Sequence, residues 1–238
     1  LFKFIFFLRY LFGIFFISVV LFLFIPHLFD FKKKDTVIKN YLLKKYDIKL
    51  NKYESIKYNS LPTPYIEIKI ADVGVAMDSL QMKVGSLNIY PKLLSIYHYK
   101  NFETNKIVLK KNKILLEDTD LKILINYIHN LKNKLSFKNL DLKIKRQDTA
   151  LIDINKIYFS NYGYDKNIFR GEIFDKNFKI STSDNYKRIN FNLLKTGITI
   201  DVNFDENKKK NMISGILRSK LLNSTIKFNF DYDDKKLK

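Results

Sequence analysis

Three histidines (His27, His98 and His129) and two close carboxylate pairs (Asp118/Asp120 and Asp233/Asp234) are the side chains of this 238-residue chain best suited by type to chemistry. A histidine can serve as general base or metal ligand near neutral pH. Two carboxyls facing across a cleft can share the work of glycoside hydrolysis. The positions argue against both. His27 abuts a long apolar run, His98 follows a short turn, and His129 falls on the polar side of an amphipathic segment. Asp118 and Asp120 open that same segment, where acidic residues cap a helix. Asp233 and Asp234 lie in a charged terminal stretch. There is no H-E-x-x-H, Walker loop, G-x-S-x-G or Cys/His metal spacing, and seven glycines in all leave no phosphate-cradling loop. The chain is expected to be no enzyme, with no catalytic residue, no metal site and no cofactor.

Composition narrows the partners. The chain has no Cys, which excludes a disulfide framework and thiolate chemistry but does not identify the compartment. The formal net charge is +19, a value that raises nucleic acid as a partner. Only 5 of the 43 basic residues are Arg, however, and the lysines are dispersed along alternating segments such as Ile66-Glu67-Ile68-Lys69-Ile70. The densest runs, Lys32–Lys34 and Lys208–Lys210, are short. Phosphate recognition needs a concentrated, Arg-rich face, so no nucleic acid is expected. Anionic lipid head groups suit the same charge.

Membrane attachment is written at the start. Phe4 to Ile25 reads FIFFLRYLFGIFFISVVLFLFI, 22 residues with one charge, Arg9. As a helix it would span ~33 Å, about the hydrocarbon thickness of a bilayer. A cleaved signal peptide has a shorter apolar region ending in small residues, whereas this run ends in Pro26-His27-Leu28-Phe29. A retained anchor is expected over residues 1–30. Lys3 and Arg9 favour a cytoplasmic N-terminus and Lys32–Lys34 the reverse, so charge leaves the sidedness open.

Beyond the anchor, Ile38, Tyr41, Leu42 and Tyr46 fall at helical spacing within Thr36–Tyr46, predicting a short amphipathic helix. Leu61-Pro62-Thr63-Pro64 then breaks regularity. A period of two follows: Ile66/Ile68/Ile70, then Val73/Val75/Met77 after a break at Ala71-Asp72, then Leu80/Met82/Val84 and Leu87/Ile89. Pro91–Tyr97 reads as a helical turn, and Lys106–Leu109 with Ile114–Glu117 as a strand pair. Asp120–Leu135 predicts a second amphipathic helix with the stripe Leu121, Leu124, Ile125, Ile128, Leu131 and Leu135. From Phe137 to Tyr232 strands alternate with turn residues at Asn161–Gly163, Asp175–Asn177, Asp184-Asn185 and Asp205–Asn211, predicting an antiparallel meander.

Strands so patterned have one apolar face, as in Ile198, Ile200, Val202 and Phe204, or Ile226, Phe228 and Phe230. That face must meet a second sheet, a helix, a partner or lipid. One strong helix cannot cover about ten strands. Alternation alone leaves two folds open: a closed sandwich, or a curved sheet with an apolar lining for acyl chains.

The order of segments resembles the start of the AsmA family of bacterial envelope proteins. The resemblance is carried by the anchor, a helix ending near Tyr46-Asp47-Ile48-Lys49-Leu50, then Leu61-Pro62-Thr63-Pro64 running through Ile70-Ala71-Asp72-Val73. Val84-Gly85-Ser86-Leu87-Asn88-Ile89-Tyr90-Pro91-Lys92-Leu93-Leu94 and Asn105–Leu109 complete it, so that it covers the chain to about Glu117. Where the family usually has Gly at the exit of the first helix, this chain has Asp47. The resemblance implies an inner-membrane, single-pass anchor with the bulk of the chain in the periplasm. It implies a mainly β fold with an elongated, curved antiparallel sheet, taco-like, carrying two short amphipathic helices. It also implies phospholipid and envelope proteins as partners, with a role in outer-membrane lipid homeostasis or envelope assembly. Family members are longer, so a fragment or a minimal version is implied. The expected organisation is an anchor (1–30), a helix-plus-β unit (31–118), a helix (119–136) and a meander (137–238) that more strands could extend. Ile66, Ile68, Ile70, Ile198, Ile200, Val202, Phe204, Ile226, Phe228 and Phe230 are the expected groove lining. The competing expectation is an assembly factor for outer-membrane proteins that takes a partner's strand at a sheet edge.

Overall fold

The computed structural model describes residues 2–30, 35–97, 102–183, 187–205 and 212–233. His98, Lys32–Lys34, Lys208–Lys210, Asp184-Asn185 and Asp234 therefore lie outside the described residues. Three α-helices are present: α1 (Phe2–Phe24), α2 (Asp35–Tyr46) and α3 (Leu121–Asn130). Twelve strands follow one another as hydrogen-bonded neighbours in chain order. They are β1 (Ile48–Asn59), β2 (Tyr65–Val75), β3 (Leu80–Pro91), β4 (Thr104–Glu117), β5 (Leu135–Arg146) and β6 (Thr149–Ser160). Then come β7 (Ile168–Ile173), β8 (Lys176–Ser183), β9 (Arg188–Leu193), β10 (Ile198–Phe204), β11 (Met212–Leu221) and β12 (Ser224–Asp233). The protein is thus mainly β. Two compact units divide it: residues 1–110 with 126–133, and 111–125 with 134–238.

In the first unit, α1 runs into a 3₁₀ turn at Ile25–Leu28, and together they are long and apolar enough to cross a membrane. Its one Ser, Ser18, donates back to the Ile14 carbonyl at 2.8 Å, which satisfies that hydroxyl within the helix. Pro26 has no N–H, which removes the ordinary i−4 donor from the Phe22 carbonyl. Two tyrosines of the β layer replace what the turn loses. The Tyr97 hydroxyl donates to the Phe22 carbonyl, and the Tyr58 hydroxyl donates to the Leu23 carbonyl at 3.2 Å. Burial pushes both phenols above their ordinary pKa, which keeps them protonated donors.

α2 opens with Asp35, which pairs with Lys39 one turn later at 2.6 Å. It buries Ile38, Leu42 and Tyr46, one face of the helix, and packs on β1. The chain leaves at Asp47 with φ +53, the left-handed conformation that Gly adopts without strain. Asp tolerates it better than most residues, and its carboxylate accepts the Met77 N–H at 2.9 Å. One carbonyl of the last α2 turn, that of Tyr46, accepts the Tyr127 hydroxyl at 2.8 Å. Tyr127 is buried, which pushes its phenol far up. Tyr127→Phe should therefore cost about 1–3 kcal/mol, the penalty of an unsatisfied buried acceptor, and lower the thermal midpoint.

β1, β2 and β3 align apolar rows across the layer. Ile56–Ile68–Leu87 and Tyr58–Ile66–Ile89 are two, Ile48–Val75–Leu80 and Leu50–Val73–Met82 two more. All these side chains are buried. Between the two pairs the phase of alternation changes by one residue. Ile70 takes φ +46 and stands 65% exposed, so the buried positions jump from Ile68 to Ala71. The same device recurs at Lys111 in β4, Asn139 in β5 and Lys156 in β6, all with positive φ. A left-handed residue inside a strand re-aims the side chains after it, as a bulge does. This corrects one expectation: Lys106–Leu109 and Ile114–Glu117 are not a strand pair but one strand, β4, switching phase at Lys111.

In the second unit, β5 to β12 form the expected run of antiparallel neighbours. α3 is shorter than its stripe suggested. It starts after a 3₁₀ turn (Asp118–Asp120) with a capping box between Glu117 and Asp120, and it stops at Asn130. Leu135, the last residue of the expected stripe, instead opens β5. Leu124 is buried, whereas Ile125 is exposed. No helix follows α3 among the described residues.

Candidate functional site

Among the described residues with chemistry in them, Asp118, Asp120 and His27 have structural partners. Asp118 takes an ion pair with Arg146 at 2.7 Å, and Asp120 accepts the Glu117 N–H at 3.3 Å. His27 lies 3.2 Å from the Ser60 hydroxyl and edge-on to Tyr58. His129 ends α3. Among the described residues no three His, Asp or Glu side chains cluster in a way that could hold a metal ion.

What the second unit does assemble is an apolar face. The registers of β7 to β12 place one set of side chains in line. The longest row runs Phe159–Phe169–Ile180–Phe191–Ile200–Ser219–Ile226 from β6 to β12. Beside it run Gly171–Phe178–Leu193–Ile198–Leu221 and Thr182–Ile189–Val202–Leu217–Phe228, and a fourth row is Phe204–Gly215–Phe230. The alternate positions are polar, for example Lys179–Asn192–Thr199–Lys220 and Ser181–Asn190–Asp201–Arg218–Lys227. Strand alternation puts these two sets on opposite sides.

Several rings meet on the apolar side. Phe159 stacks on Phe169 at 4.4 Å, Phe178 on Phe191 at 6.0 Å, and Phe204 meets Phe230 edge-on at 5.9 Å. Two glycines make room for them. A Cβ at Gly215 would come within 2.3 Å of the Asn203 carbonyl and 3.0 Å of the Phe230 ring. A Cβ at Gly171 would press on the Phe178 ring at 2.9 Å. Exposure rises along the rows. Phe159 and Phe178 are buried, Ile180, Phe191 and Ile200 are half-buried, and Ile226 and Phe228 are exposed, Phe228 at 53%.

The expected lining residues therefore divide in two. Ile66 and Ile68 are fully buried within the first unit, and Ile70 does not share their face. Ile198, Ile200, Val202, Phe204 and Phe230 are half-buried and, with exposed Ile226 and Phe228, sit together on the β7–β12 face. Sequence reading passed over Phe169 and Leu217, because β7 and β11 are short of alternating aliphatics: Gly171 and Gly215 stand at apolar-row positions. On the polar side a cleft of about 310 Å³ lies among Ser181, Ser183, Asn190, Asp201 and Arg218, with the Asn190 amide donating to Asp201 at 2.6 Å. No protein-family model matches the chain, and no curated protein sequence is significantly similar to it.

Proposed function

We propose that this protein is a membrane-anchored, non-enzymatic carrier or conduit for phospholipid acyl chains, held by α1 and binding hydrocarbon on the apolar face of β7–β12. The observation that carries the reading is the set of aligned apolar rows, continuous over six strands and increasingly exposed toward β12. Hydrocarbon leaving water gains about 0.8 kcal/mol per methylene. Half-covering a stretch of about ten methylenes on such a face would contribute about 4 kcal/mol, while head groups stay with the polar rim. The AsmA-like order of the first 117 residues supports the same reading and supplies the sidedness: an inner-membrane anchor with the bulk of the chain in the periplasm.

The test is a photo-crosslinking residue placed at Ile200 or Phe228, on the apolar side, and at Thr199 or Asn229, one residue away on the polar side. Phospholipid adducts are expected from the first pair at about fivefold or more over the second, because adjacent strand residues face opposite ways. Equal or absent lipid adducts from the two sides would overturn the proposal. A second reading, an assembly factor that accepts a partner's strand, is favoured by β12 standing at the edge of the strand order, with no strand on its outer flank among the described residues. It predicts protein adducts in place of lipid.

A further inference from the structure

The first unit grips the exit of α1 with more than a tether. Besides the two tyrosine hydroxyls on the Phe22 and Leu23 carbonyls, the Phe22 and Tyr97 rings lie 4.8 Å apart, and Phe29 meets Tyr97 edge-on at 5.7 Å. Pro26, Pro64, Pro91 and Ile96 close around the same point, leaving almost no free space between helix and sheet. The contributing segments are the end of β1, the β1–β2 turn, the end of β3 and the short turn Leu93–Ile96. One end of the β1–β3 layer is therefore fixed at the depth where the apolar helix stops.

Around that clamp several leucines face outward. Leu28 follows the helix, Leu61 opens the β1–β2 turn, and Leu93 and Leu94 begin the turn after β3. All are exposed, Leu94 at 70%. Tyr65 and Tyr90 lie beside them as a ring pair 5.4 Å apart, with the Lys106 ammonium 4.8 Å above the Tyr90 ring. Leucines flanked by tyrosines and lysine, at the level of a helix exit, match the composition of a bilayer interface. Nothing about folding requires these leucines to be exposed at one end. The opposite end of the layer, the β2–β3 turn at Ala76–Ser79, carries a single exposed Met77.

We infer that this collar is a membrane-docking surface: Leu61, Leu93 and Leu94 dip into the interface of the bilayer that α1 crosses and hold the near end of β1–β3 on it. The inference rests on α1 being inserted, but not on lipid binding by β7–β12. Its consequence is that the β1–β3 layer starts at the lipid surface, with no slack between anchor and sheet.

The chain contains no Cys, so single labels are clean. The full-length protein, reconstituted in phosphatidylethanolamine/phosphatidylglycerol vesicles with brominated acyl chains, would carry an environment-sensitive fluorophore at Leu61→Cys, Leu94→Cys, Met77→Cys or Gly13→Cys. The first three sites are exposed, and a Cβ at Gly13 meets nothing within 4 Å, so all four variants should fold. Labels at Gly13, Leu61 and Leu94 are expected to be quenched about threefold more than at Met77, which lies in the turn beyond Val75, the far end of a strand that runs ~33 Å from Tyr65. Quenching at Gly13 with Leu61 and Leu94 no different from Met77 would overturn the docking surface and leave the anchor standing. An unquenched Gly13 label would overturn the anchor, and the docking with it.

Discussion

Ile68→Asp is expected to unfold the β1–β3 layer. Ile68 is fully buried, between Ile56 on β1 and Leu87 on β3. Losing its aliphatic contacts costs about 2–5 kcal/mol by analogy with large-to-small core changes. Placing a carboxylate there without a partner adds several more. The sum reaches the whole net stability of a typical domain, about 5–15 kcal/mol. Trypsin, for which this Lys-rich chain offers many sites, should cut the first unit within minutes under conditions that leave the parent intact. The neighbouring position behaves oppositely. Ile70 is a β-branched residue at φ +46 with its side chain in solvent. Such a residue in the left-handed region is strained, so Ile70→Asn should stabilise by about 1 kcal/mol. Resistance to trypsin in Ile68→Asp would mean that the row is not a core.

The contrast between these two isoleucines shows what could be read in the sequence and what could not. Period-two alternation located most strands from β2 onward, because each half-exposed strand must repeat every second residue. It assigned Ile70 to the face of Ile68 because alternation carries no record of a backbone that turns left-handed for one residue. The same blindness split β4 at Lys110–Asn112, where polar residues within a strand look like a turn. β1 went unread for a related reason: its apolar positions, Ile48, Leu50, Ile56 and Tyr58, are interrupted by a register shift between Leu50 and Lys52. The helix after Asp118 was legible in its start, since Asp118 and Asp120 are the acidic residues that a helix N-terminus favours. Its end was not, because Leu131 and Leu135 continue the helical period while Leu135 is claimed by β5 pairing.

For the candidate site the sequence supplied types and the registers supplied company. Ile198, Ile200, Val202 and Phe204 announce one apolar edge of β10. Nothing local says that Phe191 and Ile180 fall in line with Ile200, or that Ile66 and Ile68 belong to a closed layer instead. Burial separates the two sets. The first unit seals its rows with α2 packed on β1, while among the described residues no helix follows β6. The positions where a charge can be tested without destroying the fold are therefore those of β10 and β12.

Phe228→Asp is expected to leave the protein folded and to strip it of phospholipid. Phe228 is half in solvent already, so the substitution should change stability by about 1 kcal/mol or less. Ile200→Asp, in a half-buried row, should cost about 1–3 kcal/mol, still short of unfolding. Both put a carboxylate where hydrocarbon would lie. Even about 1.4 kcal/mol of lost contact lowers occupancy tenfold, and contact of an acyl chain with a charge costs more than that. Phospholipid phosphorus per mole of detergent-purified protein should fall about tenfold in either variant. Asn229→Asp adds the same charge to the same strand on the polar side and should leave bound lipid unchanged. If Phe228→Asp instead unfolds the protein as Ile68→Asp does, the β7–β12 face is a closed core. If it stays folded and keeps its lipid, hydrocarbon is held elsewhere.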